Sequence, residues 1–273
     1  MPIEFRLKRQ PTVPLEAEVL TPDIVCRLTN AEIRSLTVYH GKRQLPLGEF
    51  FEIEGEKSDD LILHGALNKI RWVGRAMSKG SITIHGDVGM HLGSYMTGGR
   101  IDVHGNASDW IGGEMKKGFI HVHGNAGGQV GAAYRGSMAG MKDGIIIIDG
   151  SAGLEVGMRM RRGTIILGGP ARDFTGLQMK GGTIILMAGA EIRTGAWMNR
   201  GTIISLKPLL LMPTFVFNGC QNPVFVNVYA RHLQQFGIRL PFAKKEGAYH
   251  HYRGDVAVSH KGEILIWQPT SQT

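Results

Sequence analysis

Through the middle of the chain, short runs of branched apolar residues alternate with glycine-rich polar stretches at a fixed interval. The runs are Ile82-Thr83-Ile84, Ile101-Asp102-Val103, Ile120-His121-Val122, Ile146-Ile147-Ile148, Ile165-Ile166-Leu167 and Ile184-Ile185-Leu186. In each run the first and third residues face one side and the middle residue the other, which is the period of a strand. The leading isoleucines, continued by Ile203, recur every 19 residues with one step of 26. Three more columns keep the phase: Met77, Met96, Met115, Met141, Met160, Met179 and Met198; Gly74, Gly93, Gly112, Gly131, Gly157, Gly176 and Gly195; and Gly80, Gly99, Gly118, Gly144, Gly163, Gly182 and Gly201. The long step falls between Gly131 and Gly157 in one column and between Met115 and Met141 in another, so seven extra residues lie between Gly131 and Met141.

Four columns in phase over half the chain predict a stack of identical turns. A helical repeat needs more than 30 residues per unit and tolerates few interior glycines. Nineteen residues with a glycine at each corner fit one coil of a right-handed parallel β-helix of about seven coils. A left-handed helix of hexapeptides is the nearest rival, but it repeats every 18 residues. The Ile and Met columns then form interior ladders. Residues 1–60 lack the rhythm and read as a small α/β cap, with helix starts at Thr21-Pro22-Asp23 and Thr29-Asn30 and a hairpin around Val38 to Gln44. Residues 61–207 are the repeat domain. Residues 208–273 read as a helix from Asn222-Pro223 to about Gln235, followed by a closing pair of strands, Asp255 to Ser259 and Glu263 to Trp267.

The middle strand position changes character along the array. It reads Thr83, Asp102 and His121, then Ile147, Ile166, Ile185 and Ile204. Four stacked isoleucines facing water would make an apolar stripe of a kind that monomers seldom expose, so the C-terminal segment or another subunit is expected to cover it.

Charge separates the same segments. Residues 1–60 carry 8 basic and 11 acidic side chains, residues 61–207 carry 17 and 9, and residues 208–273 carry 6 and 3. The basic residues of the array are columnar: Lys116, Lys142, Arg161 and Lys180 directly follow the methionines, and Lys79, Lys117, Arg162 and Arg200 come one position later. Such a ridge suits a polyanion or an acidic partner, or serves only to solvate the face. Nucleic acid is not expected, because the array's few aromatics do not interleave with the basic columns as stacking platforms would. Two cysteines form neither a disulfide framework nor a metal-ligand spacing, which fits a cytoplasmic protein. The first residues show no signal-peptide pattern, and no stretch is long and apolar enough to span a membrane.

His85, His104 and His123 fall on successive turns, with His121 and His64 nearby. Tight local ligand pairs are missing, so a solvated or partner-facing ladder is preferred to a metal or catalytic site. No nucleophile elbow, phosphate loop or dinucleotide fingerprint occurs. The expectation is therefore no catalytic residue, no metal and no cofactor bound by this chain alone.

The repeated Gly-x-x-Gly-x-x-x-Gly turns, as at Gly86 to Gly93, Gly124 to Gly131 and Gly150 to Gly157, resemble the glycine-repeat domain at the C-terminus of glutamate synthase. They resemble the C subunit of formylmethanofuran dehydrogenase more closely. The similarity extends to Pro11 through Glu18, Thr21-Pro22-Asp23, Leu47 through Gly55, Tyr252-Arg253-Gly254-Asp255 and Lys261 through Leu265. The longer tail with Arg231 to Gly237 looks like the bacterial branch, the C subunit of formyltransferase/hydrolase complexes of methylotrophs. The resemblance implies a non-catalytic subunit beside an amidohydrolase-like A subunit, a B subunit and a formyltransferase D subunit. Such a complex moves a formyl group from formyl-tetrahydromethanopterin to a methanofuran-type carrier and releases formate. It also implies a use for the basic ridge, since methanofuran carriers bear a glutamate-rich tail. Two other readings stay open: the C subunit of a tungsten or molybdenum formylmethanofuran dehydrogenase, and a free-standing solenoid enzyme using the His column.

Overall fold

The computed structural model describes residues 1–241 and 244–270. Residues 242–243 and 271–273, part of the C-terminal segment expected over 208–273, lie outside the described residues. The chain is mainly β with few helices. The N-terminal segment holds β1 (Ile3–Leu7), β2 (Leu15–Glu16), α1 (Pro22–Val25), α2 (Asn30–Ser35), β3 (Thr37–His40), β4 (Arg43–Pro46) and β5 (Phe51–Glu54). The array holds β6 (Asp60–His64), β7 (Ile70–Arg71), β8 (Ser81–His85), β9 (Arg100–Val103), β10 (Phe119–Val122), β11 (Ile145–Ile148), β12 (Thr164–Leu167), β13 (Lys180–Leu186) and β14 (Arg200–Ser205). The C-terminal segment holds β15 (Val216–Gln221), α3 (Val224–Gln234), β16 (Gly247–Gly254) and β17 (Lys261–Pro269).

Strands β6 and β8 to β14 pair in parallel, each with the next, inside a mixed sheet of 13 strands. The register is the sequence period itself: Ile120 lies opposite Ile101 on one side and Ile146 on the other. A second line of parallel bridges runs Leu67–Val88–Ala107–Ala126 and Ala152–Ala171–Ala190. The seven-residue insertion leaves the register intact, because Met141 N–H donates back to Gly131 O at 2.8 Å.

The inward columns form the core. The leading isoleucines and all seven methionines of the repeat are fully buried. Unbranched Met side chains fill the irregular space at the bends. The glycine corners take positive φ, and at Gly112 (φ 59°) a Cβ would stand 2.5 Å from Ile146 Cδ1. Only glycine leaves room for the isoleucine of the neighbouring turn.

Each end of the parallel ladder is closed by the chain's own strands. At one end β1 pairs in parallel with β6 and antiparallel with β5. Helix α2 there starts with a capping box, in which Thr29 Oγ1 accepts from Glu32 N–H at 3.4 Å while the Glu32 carboxylate accepts from Thr29 N–H at 2.8 Å. At the other end β17 pairs in parallel with β14 and antiparallel with β16. The expected strand over Asp255 to Ser259 is not formed. Its place is taken by β16, eight residues earlier, while Asp255 is buried in the connection and its carboxylate accepts from Trp197 N–H and Ala257 N–H. A carboxylate committed to two backbone donors holds a turn rather than a ladder.

Truncation of the inner ladder should be costly. Ile184→Ala is expected to lose about 2–5 kcal/mol in denaturant unfolding. Ile192→Ala, at a side chain that is 43% exposed, should stay within about 0.5 kcal/mol. Equal effects at the two positions would contradict the assigned interior.

Candidate functional site

Backbone hydrogen bonds between turns set the basic ridge in line. Met96 O accepts from Lys116 N–H at 2.8 Å, Met115 O from Lys142 N–H at 2.7 Å, Met141 O from Arg161 N–H at 2.8 Å and Met160 O from Lys180 N–H at 2.7 Å. Lys79, Lys116, Lys117, Lys142, Arg161, Arg162 and Arg200 are exposed; Lys180 is half-buried and donates from Nζ to Met138 O at 2.9 Å. Among the described residues, none of these eight side chains pairs with a carboxylate. Their charge is left facing outward.

Beside the ridge runs a cleft of about 650 Å³, whose lining includes Lys117, Arg162, Asp143 and Tyr229 of α3. Its floor is the bare backbone of the corner glycines. At Gly144, whose φ is 101°, a Cβ would stand 2.6 Å from Gly118 O and 2.8 Å from Met115 Cε, so no side chain can fill the floor. The structure thus brings two ridge residues, Lys117 and Arg162, to this groove, while Lys180 lines a separate one with Met138 and Trp197.

The isoleucine stripe has a different fate. Ile147, Ile166, Ile185 and Ile204 are buried in one cluster with Val226, Ala230 and Leu233 of α3, Tyr249 of β16 and Leu265 of β17. The chain's own C-terminal segment covers them, which removes the stripe as a docking face.

The histidine column stacks closely. Ring centroids lie 5.1 Å apart for His64–His85, 4.9 Å for His85–His104 and 5.0 Å for His104–His123. Desolvation, together with the neighbouring His104 and His64, holds His85 below the ordinary histidine range. The column does not end where the histidines do: Asp149 occupies the next turn and faces His121 and His123, each at 2.9 Å. Asp102 meets His123 at 2.9 Å and Arg100 at 2.7 Å. Partial burial pushes the Asp102 carboxyl up, but the bonds from Arg100 and His123 outweigh this and hold it below its usual value.

Sequence reasoning missed a second corner. Two residues before each corner glycine stand Trp72, His91, Trp110, Gln129, Glu155, Phe174 and Arg193, all with φ between 57° and 67°. Non-glycine residues seldom adopt this region, and here every turn of the array imposes it. The first three stack, with Trp72–His91 centroids at 4.1 Å, and Tyr134 from the insertion lies 4.6 Å from Trp110. Tyr134 Oη also contacts His91 Nδ1 at 2.9 Å and Ser94 Oγ at 2.7 Å. A cavity of about 640 Å³ opens beside this group. The column was in phase with the glycines, but its mixed residue types gave no hydrophobic or charged signal.

No family model matches the chain. The chain is 47% identical over 83 residues to the C subunit of the molybdenum-containing formylmethanofuran dehydrogenase 1 of Methanothermobacter thermautotrophicus, covering 30% of this chain and 21% of that protein. It is 36% identical over 92 residues to the C subunit of the tungsten-containing formylmethanofuran dehydrogenase 2 of the same organism, covering 32% and 34%. It is 40% identical over 73 residues to the C subunit of the formyltransferase/hydrolase complex Fhc of Methylorubrum extorquens, covering 27% and 28%. These matches span about a fifth to a third of the length of the curated relatives. The whole chain is similar to one in the crystal structure of the formyltransferase/hydrolase complex FhcABCD from Methylorubrum extorquens in complex with methylofuran. There the TM-score is 0.89, at 34% identity, over 98% of this chain and 99% of that one.

Burial lowers the pKa of His91 from 6.5 to about 4, and the nearby Arg71 adds to the shift. A histidine held neutral in the fold is protonated first in the unfolded chain, so its contribution is full above about pH 6.5 and is lost as the pH falls toward 4. His91→Gln should therefore flatten the acid side of the stability–pH curve. An unchanged acid limb in urea titrations would show that His91 does not contribute to it.

Proposed function

The chain belongs to the C-subunit family of formyltransferase/hydrolase and formylmethanofuran dehydrogenase complexes, and on that premise we propose that it is the non-catalytic structural subunit of a formyltransferase/hydrolase complex. The observation that carries this reading is the end-to-end similarity to a chain of FhcABCD, against matches to the dehydrogenase subunits that cover a third of the chain. In this reading an amidohydrolase-like A subunit, a B subunit and a formyltransferase D subunit are the partners. Together they convert formyl-tetrahydromethanopterin to formate in the cytoplasm, through a methanofuran-type carrier. The 47% identity of one stretch to a molybdenum dehydrogenase subunit favours a second reading, the same scaffold in a redox complex.

In this reading the scaffold is a right-handed parallel β-helix over residues 61–207, capped by 1–60 and covered along one side by α3, β16 and β17. The ridge of Lys79, Lys116, Lys117, Lys142, Arg161, Arg162, Lys180 and Arg200 holds the carrier's glutamate-rich tail or an acidic partner surface. The unpaired charges and the adjoining cleft with Lys117 and Arg162 support that use. Exposed lysines and arginines follow a flexible polyanion without needing a rigid pocket.

Co-expression of the A, B and D subunits with and without this chain tests the role: formate release from formyl-tetrahydromethanopterin should require it. Within the assembled complex, Lys116→Glu, Lys142→Glu and Arg161→Glu together should weaken carrier retention roughly thirty- to hundredfold, at up to about 1 kcal/mol per exposed contact. An intact complex with unchanged carrier content would sink the tail-binding role and leave the structural one standing.

A further inference from the structure

The structure contains an unassigned convergence of imidazole and carboxylate groups on the polar face of β9, β10 and β11. His121 and His123 sit two residues apart on and just after β10, with ring centroids 3.9 Å apart. His121 Nε2 lies 2.9 Å from Asp149 Oδ1, and His123 Nδ1 lies 2.9 Å from Asp149 Oδ2. The opposite nitrogen of His123, Nε2, lies 2.9 Å from Asp102 Oδ1. Asp102 is fixed in turn by Arg100 on its other oxygen at 2.7 Å. His104 Nε2 stands 3.7 Å from Asp102 at the edge of the group.

Donor counting makes the arrangement informative. A neutral imidazole carries one N–H, and an ionised carboxylate only accepts. His123 presents both ring nitrogens to carboxylate oxygens at hydrogen-bond distance. Whichever nitrogen holds the proton, the other aims a lone pair at an anionic oxygen, so a cation has to stand between them. That cation is a second proton or a metal ion.

We propose that His121 Nε2, His123 Nδ1 and the Asp149 carboxylate form a binding site for one zinc-class divalent ion, with Asp102 orienting His123 from behind. Two imidazoles and a carboxylate are a normal ligand set for such ions. The Asp102–His123 bond is the outer carboxylate contact that fixes the tautomer of a ligating histidine. His121 Nε2 and His123 Nδ1 meet different oxygens of Asp149, each at 2.9 Å, and one ligand atom from each of the three residues lies within 4.8 Å of the others, so bonds near 2.1 Å to one ion are reached by side-chain adjustment alone. His123 and Asp149 are exposed, and their side chains have room to make that shift. Solvent access on the same side leaves the fourth position to water. The ion would tie the turn carrying β10 to the one carrying β11. The expectation of no metal overlooked His121 and His123 as a local ligand pair, and the stacked register supplies the third ligand from 26 residues further along the chain.

The test uses the untagged full chain, treated with a chelator and desalted, then titrated with Zn²⁺ by calorimetry and with Co²⁺ by visible absorption. One Zn²⁺ per chain is expected, together with Co²⁺ ligand-field bands and a Zn²⁺-dependent rise in Tm. His123→Ala and Asp149→Asn should abolish stoichiometric uptake, and Asp102→Asn should weaken it about 10–100-fold. His232→Ala, on α3, should leave it unchanged. Asp102→Asn keeps the fold testable if the ligand variants are unstable. No stoichiometric uptake, or uptake that every variant retains, would overturn the site and leave a proton as the cation between Asp102 and Asp149. The outcome does not depend on the carrier or on the subunit reading.

Discussion

The rest of the structure depends on one requirement: the backbone polar groups of each strand in the array are satisfied by the turns before and after it. Buried N–H and C=O groups cannot be left unpaired, so a 19-residue turn is stable only as part of a stack. That requirement fixes the residue columns. Every side chain of one type lands directly over its equivalent, about 4.8 Å away, whether it is an isoleucine, a methionine, a histidine or an arginine. It also explains the two ends, where β1 with β5 and β17 with β16 continue the ladder. The outermost strand at the C-terminal end, β15, is almost wholly exposed along its length.

Stacking then determines what each column can do. Apolar columns facing inward become a continuous core. The glycine corners allow the backbone of one turn to approach the isoleucine of the next, as Gly112 does with Ile146. Outward columns concentrate one chemistry along a line: positive charge after the methionines, imidazole after the first strands, aromatic rings at the left-handed corner. A molecule built this way offers long faces rather than one deep pocket. That is the physical content of its likeness to a subunit that works within a larger complex.

Much of the strand register was legible in the sequence, because the period aligns equivalent residues without any knowledge of distant contacts. The Ile column, the Met column and the insertion before Met141 could all be placed by counting. Features that break the period were harder. The closing strand was expected at Asp255 to Ser259, but β16 precedes it, because the role of Asp255 as acceptor for Trp197 N–H is a contact across 58 residues with no local trace. The cover over Ile147, Ile166, Ile185 and Ile204 was left open between α3 with its strands and another subunit, since an amphipathic helix does not declare its partner. The aromatic corner escaped because its column mixes Trp, His, Gln, Glu, Phe and Arg. Its common property is a left-handed backbone, and composition does not reveal that. The His–Asp group was visible only in part: counting columns places Asp149 after His123, but not the second contact with Asp102.

The central claim is that this chain is built as a surface for other subunits. Native mass spectrometry of the tagged chain, purified from its own cell at physiological salt, tests it most directly. One assembly is expected, in which this chain is held with formyltransferase-type and amidohydrolase-type subunits. A chain recovered alone, as a stable monomer with no companion subunits, would contradict it.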